Sequence, residues 1–336
     1  MKKILYLFII LSVASCTTPP SETKTEVVKT YASELDSLNA LIEEEKDIEN
    51  ALLNRAKYYD VNGKTDLALK DLNQKMTYSI TDEDYYLKGN ILYSITDFTS
   101  ANKAYRLCVE ENPENAKCYV KLAQIQQLLD NHDECLGLLD SALYADRQLP
   151  DAYFLKGLTF ELRRARGDTA LAISSYQTAT ELNPKFYDAF MRLGDLHAGK
   201  GDSLAIEYYK SAISLQPNRI EGHYNLGIYL QNSERFDRAM KRYDEILAID
   251  DQSFPAYFNQ GYLLLVHADM YPEAVEKFTK ALEHNPDYIE AYHNRGLSYK
   301  NMGKYELARA DFSKVLELNP DLTQTAIELS ELDKIR

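Results

Sequence analysis

The chain has no tryptophan, and in 336 residues it holds only 4 cysteines and 6 histidines. Each scarcity removes a class of function. Without Trp, the usual platform for stacking a sugar ring is missing. Cys16, Cys108, Cys118 and Cys135 show no zinc spacing. His132, His197, His223, His267, His284 and His293 are scattered, and no His-Glu-x-x-His, Gly-x-Ser-x-Gly or phosphate-cradling glycine loop occurs. The densest acidic stretch near the front, Glu43-Glu44-Glu45-Lys46-Asp47, reads as a solvated helix face. These absences predict a protein that is not an enzyme and needs neither cofactor nor metal. Positive charge is also scarce: 38 basic residues stand against 52 acidic ones, a net charge of −14, with no basic cluster. Nucleic acid is therefore excluded as a partner, because phosphate binding is driven by clustered Lys and Arg. An acidic surface repels anionic lipid and favours basic or neutral partners.

Long apolar runs are missing except at the start. Met1-Lys2-Lys3 precedes an apolar stretch, residues 4–13, and then Ala14-Ser15-Cys16. Two lysines, a short apolar run and small residues form a secretory signal, too short for a permanent span, which needs roughly 20 residues. Val13-Ala14-Ser15-Cys16 resembles the bacterial lipobox. The resemblance implies removal of residues 1–15 and lipidation of Cys16; several acyl chains anchor stably where one does not. The loss of Lys2 and Lys3 leaves 36 basic residues against 52, a charge of −16. Residues 16–26, opening Thr17-Thr18-Pro19-Pro20-Ser21, read as a flexible tether. Thr17, where an aspartate would signal retention, points by analogy with enterobacterial sorting to the outer membrane. The alternatives are an ordinary cleaved signal with a coincidental cysteine, or an N-terminal membrane anchor.

From residue 49 onward one pattern recurs. A large residue is followed four positions later by a small one: Leu52/Ala56, Tyr85/Gly89, Tyr119/Ala123, Tyr153/Gly157, Phe190/Gly194, His223/Gly227, Tyr257/Gly261 and Tyr292/Gly296. That spacing puts both on one helical face. A second helix then carries a small residue and, four later, a large one, as in Ala68/Leu72, Ala205/Tyr209 and Ala308/Phe312. Pro113, Pro184, Pro217, Pro286 and Pro320 end second helices, and Gly63, Gly201 and Gly303 mark turns within pairs. The pattern resembles the tetratricopeptide repeat (TPR) family, whose period is about 34 residues. The resemblance covers residues 49–322 in eight units. The first is degenerate, with Lys75 where later units have Ala142, Ala179 or Ala281, and the fourth carries an insertion around residues 163–169. The expected fold is all-α: a right-handed α-solenoid of about eight helix-turn-helix units, with a helical lead-in at residues 27–48 and a capping helix at 323–336. The cap's apolar face is Ala326, Leu329 and Leu332.

Cys108, Cys118 and Cys135 fill small-residue slots, so buried small hydrophobes is the favoured reading. A Cys108–Cys118 or Cys118–Cys135 disulfide remains open. His197 and His223 take aromatic slots and read as core.

The family resemblance implies an inner groove lined by the first helices, at the residue after the opening aromatic and again four further on. Candidates for binding a partner are Tyr86, Phe154, Leu158, Met191, Tyr224, Ile228, Phe258 and Tyr262, with Asn225, Asn259 and Asn294 at a recurrent polar slot. Asp195 falls on the same line, and Glu83, Asp151, Asp188, Glu221 and Glu290 on its rim. Asparagine can bond a main chain in both senses, and aromatic anchors dominate many interfaces. The expected occupant is a protein or peptide segment, apolar with basic flanks; the alternative is that some of these side chains pack between helices. Lys and Arg do not line the groove as in the carboxylate clamp of chaperone-binding TPR domains. The expected function is a membrane-anchored scaffold or adaptor of the bacterial envelope. The alternative is a ligand- or glycan-capturing lipoprotein of a nutrient-uptake system, weakened by the lack of Trp.

Overall fold

The computed structural model describes residues 24–335, with side chains from residue 34 onward. The signal segment, Cys16 and most of the tether lie outside the described residues. Among the described residues every regular element is a helix, and the fold is an α-solenoid of helix pairs. The chain forms two compact units divided after Ile125. In the first, α1 (Lys24–Glu43) precedes α2 (Ile48–Val61), α3 (Thr65–Lys75), α4 (Asp82–Ser94) and α5 (Phe98–Glu111); α6 (Ala116–Leu128) runs through the division. The second unit holds α7 (His132–Ala145), α8 (Pro150–Arg163), α9 (Asp168–Leu182), α10 (Tyr187–Gly199), α11 (Leu204–Leu215), α12 (Ile220–Asn232) and α13 (Phe236–Ile249). It continues with α14 (Phe254–Val266), α15 (Tyr271–His284), α16 (Ile289–Asn301), α17 (Tyr305–Leu318) and α18 (Thr323–Leu332).

Two kinds of turn set the period. Between pairs, Asn112, Asn183, Asn285 and Asn319 precede Pro and leave the helix; φ is −139° at Asn112 and −145° at Asn319. Their side-chain oxygens accept the N–H two residues on, at 3.1 Å from Glu114 and 3.0 Å from Lys185. Asp146 and Asp250 make the same turn without proline, accepting from Gln148 and Gln252. Within pairs the turn needs one left-handed residue. Gly63, Gly201 and Gly303 supply it at φ +69°, +68° and +71°. Thr96, Asp130, Glu234 and Asp269 hold the same conformation without glycine, at φ between +53° and +62°.

Helices approach closely at the small slot. A Cβ on Gly157 would lie 2.5 Å from the Tyr176 ring; on Gly261, 2.8 Å from Phe278; on Gly296, 2.6 Å from Phe312. Gly89, Gly194 and Gly227 meet Tyr105, Tyr209 and Tyr243 in the same way. Six glycines thus lie under six rings, all fully or almost fully buried. In the two units with alanine in this slot, Ala56 and Ala123, the second-helix residue is leucine, Leu72 and Leu139. A methyl on one helix is matched by a thinner side chain on the other. The four tyrosines also place their hydroxyls on first-helix polar groups: Tyr105 on Asn90 at 2.8 Å, Tyr176 on Glu161, Tyr209 on Asp195 at 2.8 Å and Tyr243 on Gln231 at 3.0 Å.

One sequence expectation is corrected. Cys108 and Cys118 are buried, but as a disulfide, with Cα atoms 6.3 Å apart, tying α5 to α6 across the turn at Pro113. Among the described residues Cys135 is the one free thiol, buried and 3.2 Å from the Thr159 hydroxyl. The spacing of ten left pairing open because slots in successive helices can either pack or bond. Closing so short a loop restricts the unfolded chain by about 3 kcal/mol.

Lys75 departs from alanine with a purpose. Its ammonium is buried, 2.6 Å from Asp84, which also completes the Thr81 capping box that starts α4. In the fourth repeat, Arg163 grips Asp168 through two nitrogens, at 3.1 and 2.8 Å, and Asp168 also takes the Ala165 N–H at 2.7 Å. The insertion is thereby a closed turn. The Asp168 carboxyl is held below its ordinary value chiefly by that Arg163 bond. At the end, Leu332 of α18 packs on Ala308 and Phe312.

Gly261→Ala should destabilise the protein by about 1–3 kcal/mol through overpacking. The double change Gly261→Ala/Phe278→Leu, which copies the Ala/Leu pairs, should recover part of that loss. Urea unfolding of wild type, Gly261→Ala, Phe278→Leu and the double variant checks this; a double variant as unstable as the sum of the two single effects, or more so, would refute the matched-slot reading.

Candidate functional site

The second compact unit carries the candidate site. Its first helices adjoin one another, α10 beside α12 and α14 beside α16, while each also packs on its own second helix. Residues one position after the opening aromatic therefore recur at equivalent places on successive first helices.

An open, shallow cleft of about 380 Å³ lies on this unit. Tyr224, Asn225 and Ile228 form one wall and Tyr209 contributes from α11; Tyr229, Asn232 and Gly201 also line it. Tyr224 is half-buried, and its hydroxyl faces the side chain of Asn259 on the next first helix. Burial pushes the Tyr224 phenol above its ordinary value. Asn225 Nδ2 donates to Asp195 Oδ1 at 3.0 Å, the atom that also receives the Tyr209 hydroxyl at 2.8 Å. Desolvation holds the Asp195 carboxyl above its ordinary value, opposed by the Tyr209 bond and the attraction of Arg192.

The other candidates are distributed around this cleft or away from it. Phe154 is half-buried, its ring 4.8 Å from Phe186 and 5.5 Å from Tyr176, with Leu158 packed on the same cluster. Phe258 lies 4.9 Å from Tyr288 and 5.7 Å from Phe278. Tyr262 is half-buried and edge-on to His267 at 6.2 Å. Asn294 is half-buried on α16. Tyr86 belongs to the first compact unit, half-buried, 6.2 Å from the Tyr105 ring.

Two candidates are corrected. Met191 is only 4% exposed and packs in the core with Tyr187 and Leu226. Asn259 is 6% exposed and faces Tyr224. The reason is the same in both: when first helices adjoin, a side chain aimed at the neighbouring helix is covered by it. At this slot Asn225 stitches neighbouring repeats through its bond to Asp195. His197 and His223 are buried, bonded through Nδ1 to Asp202 at 2.8 Å and Glu245 at 3.0 Å.

The rim is less negative than its sequence. Arg219 reaches Glu221 at 2.7 Å and Asp188 at 3.4 Å and lies 4.1 Å from the Tyr187 ring centre. Asp151 and Glu83 remain exposed, and Glu290 is half-buried. The Tyr209–Asp195–Asn225 cluster spans three helices, and reading single slots did not bring it together. A sequence signal exists: Asn90 and Asp195 both follow the small-slot glycine, in units whose second-helix aromatic is tyrosine.

Profiles of the tetratricopeptide repeat match residues 85–115, 158–220 and 289–322, and a TPR repeat profile matches 270–303. These stretches are tetratricopeptide repeats. The chain is 25% identical over 243 residues to Hsp70-Hsp90 organizing protein 2 of Arabidopsis thaliana, covering 69% of this chain and 41% of the relative. It is 24% identical over 243 residues to the Hsp70-Hsp90 organizing protein of Triticum aestivum, covering 69% and 40%. The chain thus spans about two fifths of the curated relatives it matches. Among solved structures, it shares the fold of YrrB, a TPR protein described as having an unusual peptide-binding site: TM-score 0.50, 24% identity, covering 57% of this chain and 97% of that one. It also shares that of the C-terminal part of a TPR repeat-containing protein from Cytophaga hutchinsonii: TM-score 0.54, 19% identity, covering 68% and 94%.

Because the folded-state pKa of Asp195 is raised, its charged form is the one that folding disfavours. The penalty is absent below the unfolded-state value and complete above the folded one. Asp195→Asn keeps an acceptor oxygen and removes the charge. Urea unfolding should find the variant more stable than wild type at about pH 7.5, with the gap closing toward about pH 3; a pH-independent gap would contradict the assignment.

Proposed function

We propose that this array of tetratricopeptide repeats is a lipid-anchored, non-catalytic scaffold of the bacterial cell envelope, tethered through Cys16, most simply in the outer membrane. It binds an extended or helical protein segment along the first-helix face of its second compact unit. The observation that carries this reading is the cleft at Tyr224, where a half-buried aromatic ring, an aliphatic wall and amide groups converge. Such a mixture suits a peptide: rings and Ile228 take apolar side chains, while Asn232 and the open part of Asn225 meet its main chain. Phe258 on the next first helix, α14, and Phe154 two first helices earlier, on α8, add further half-buried rings.

Relatives named as organizers of Hsp70 and Hsp90, and a structural neighbour with a peptide-binding site, support protein binding. The anchor rests on the residue pattern around Cys16. The Cys108–Cys118 disulfide supports an oxidising compartment such as the periplasm or cell surface. Among the described residues no helix is long and apolar enough to cross a membrane, so attachment is assigned to the N-terminus.

A photo-reactive amino acid in place of Tyr224 should crosslink a discrete partner in living cells. In the purified pair, Tyr224→Ala/Phe258→Ala should weaken binding by about 30-fold or more, the loss typical of two dominant anchors, with helical circular dichroism unchanged. Undiminished binding would move the site elsewhere. Separately, Cys16→Ser should abolish incorporation of a clickable palmitate and release the protein from membranes; a labelled, membrane-bound serine variant would remove the anchor.

A further inference from the structure

We propose that Asp195 is the receptor for a basic side chain, lysine or arginine, on the segment that occupies the Tyr224 cleft. The inference rests on the groove reading and adds to it the partner's charge and the position of that charge.

The geometry is specific. Asp195 stands on α10, one residue after the glycine on which Tyr209 lies. Both hydrogen bonds it accepts, from Tyr209 and from Asn225, fall on one oxygen, Oδ1. The two donors line the cleft, whereas Asp195 itself lies beside it, within hydrogen-bond distance of both. The other oxygen, Oδ2, has no hydrogen-bond partner among the described residues, and Asp195 is not sealed from solvent. Among the described residues no cation comes within ion-pairing distance of it. Arg192, three residues earlier on the same helix, is exposed and attracts the carboxylate without pairing with it. Arg219, the nearby rim cation, is engaged with Glu221 and Asp188.

A carboxylate fixed by two donors on one oxygen, with the second oxygen unanswered and the group partly desolvated, is built for a cation from outside. Desolvation weakens its hydration, so an incoming ammonium or guanidinium replaces less water there than at an exposed acid. The walls suit the rest of the side chain. Tyr224, Tyr229 and Ile228 can pack the aliphatic stem of Lys or Arg, with an aromatic face available to its charge. Glu221, although paired with Arg219, adds to the negative potential at Asp195. The net charge of −14 favours the approach of a basic segment. A neutral apolar segment would bury Oδ2 unanswered, a penalty that selects against it.

A displayed library of random twelve-residue peptides, panned on the whole folded protein and on Asp195→Asn, tests this. Wild type should enrich apolar or aromatic peptides with a recurrent Lys or Arg at one position. Asp195→Asn should enrich apolar peptides without that basic residue. A peptide selected on wild type should bind Asp195→Asn about tenfold more weakly, and replacing its Arg by citrulline, or its Lys by norleucine, should cost a similar factor on wild type but little on the variant. If wild type selects apolar peptides with no basic residue, or if the variant keeps the basic preference, the Asp195 assignment is overturned while the groove stands. If neither protein enriches any peptide, the groove reading falls and takes this assignment with it.

Discussion

An aromatic ring lying directly on a glycine sets how closely the two helices of a repeat approach. At Gly157, Gly194, Gly261 and Gly296 the ring occupies the space a Cβ would need. That contact demands a helical glycine, which costs about 1 kcal/mol against alanine in helix propensity. Ring burial of the size seen at Tyr176 or Phe278 offsets the loss. Where the slot holds Ala56, its partner Leu72 is correspondingly slimmer. The spacing within a pair is a matched property of two residues, not of either alone.

Neighbouring repeats share one apolar core, in which Met191 of one repeat packs with Leu226 of the next. A polar bond is added to it: Asn225 meets Asp195, linking one first helix to the next. The apolar contacts close each pair and stack it on its neighbour, and the polar bond fixes two side chains across that seam. The cleft at Tyr224 lies where the two systems intersect: Tyr209 is both the ring over Gly194 and a donor to Asp195.

Most of the fold was legible in the chain because packing repeats. Each large–small slot recurs in register, so Tyr292/Gly296 and Ala308/Phe312 announce a helix pair without any structure. Asn-Pro was legible for the same reason: the bond from Asn183 to Lys185 is local. The site was less legible because its contacts cross repeats. Slot position alone put Met191 and Asn259 on an open face, but the adjacent first helix covers both. Asp195 was on the expected line and still escaped selection. Its meaning comes from Tyr209 and Asn225, fourteen residues away in one case and thirty in the other. Cys108 and Cys118 show the same limit, since a small buried slot and half of a disulfide look alike until the distance between slots is known.

The last two helix pairs use Phe278 and Phe312 where four earlier ones use tyrosine. As packing residues the two types are interchangeable, yet only tyrosine presents an oxygen at the far edge of the ring. In the fifth repeat that oxygen holds a carboxylate, and the amide that completes the arrangement belongs to the sixth. Repeats of this kind are usually treated as exchangeable bricks. Here the smallest transferable piece is larger than one brick: moving the fifth repeat without the sixth, or exchanging its tyrosine for the phenylalanine used two units later, would preserve the architecture and erase the local recognition chemistry.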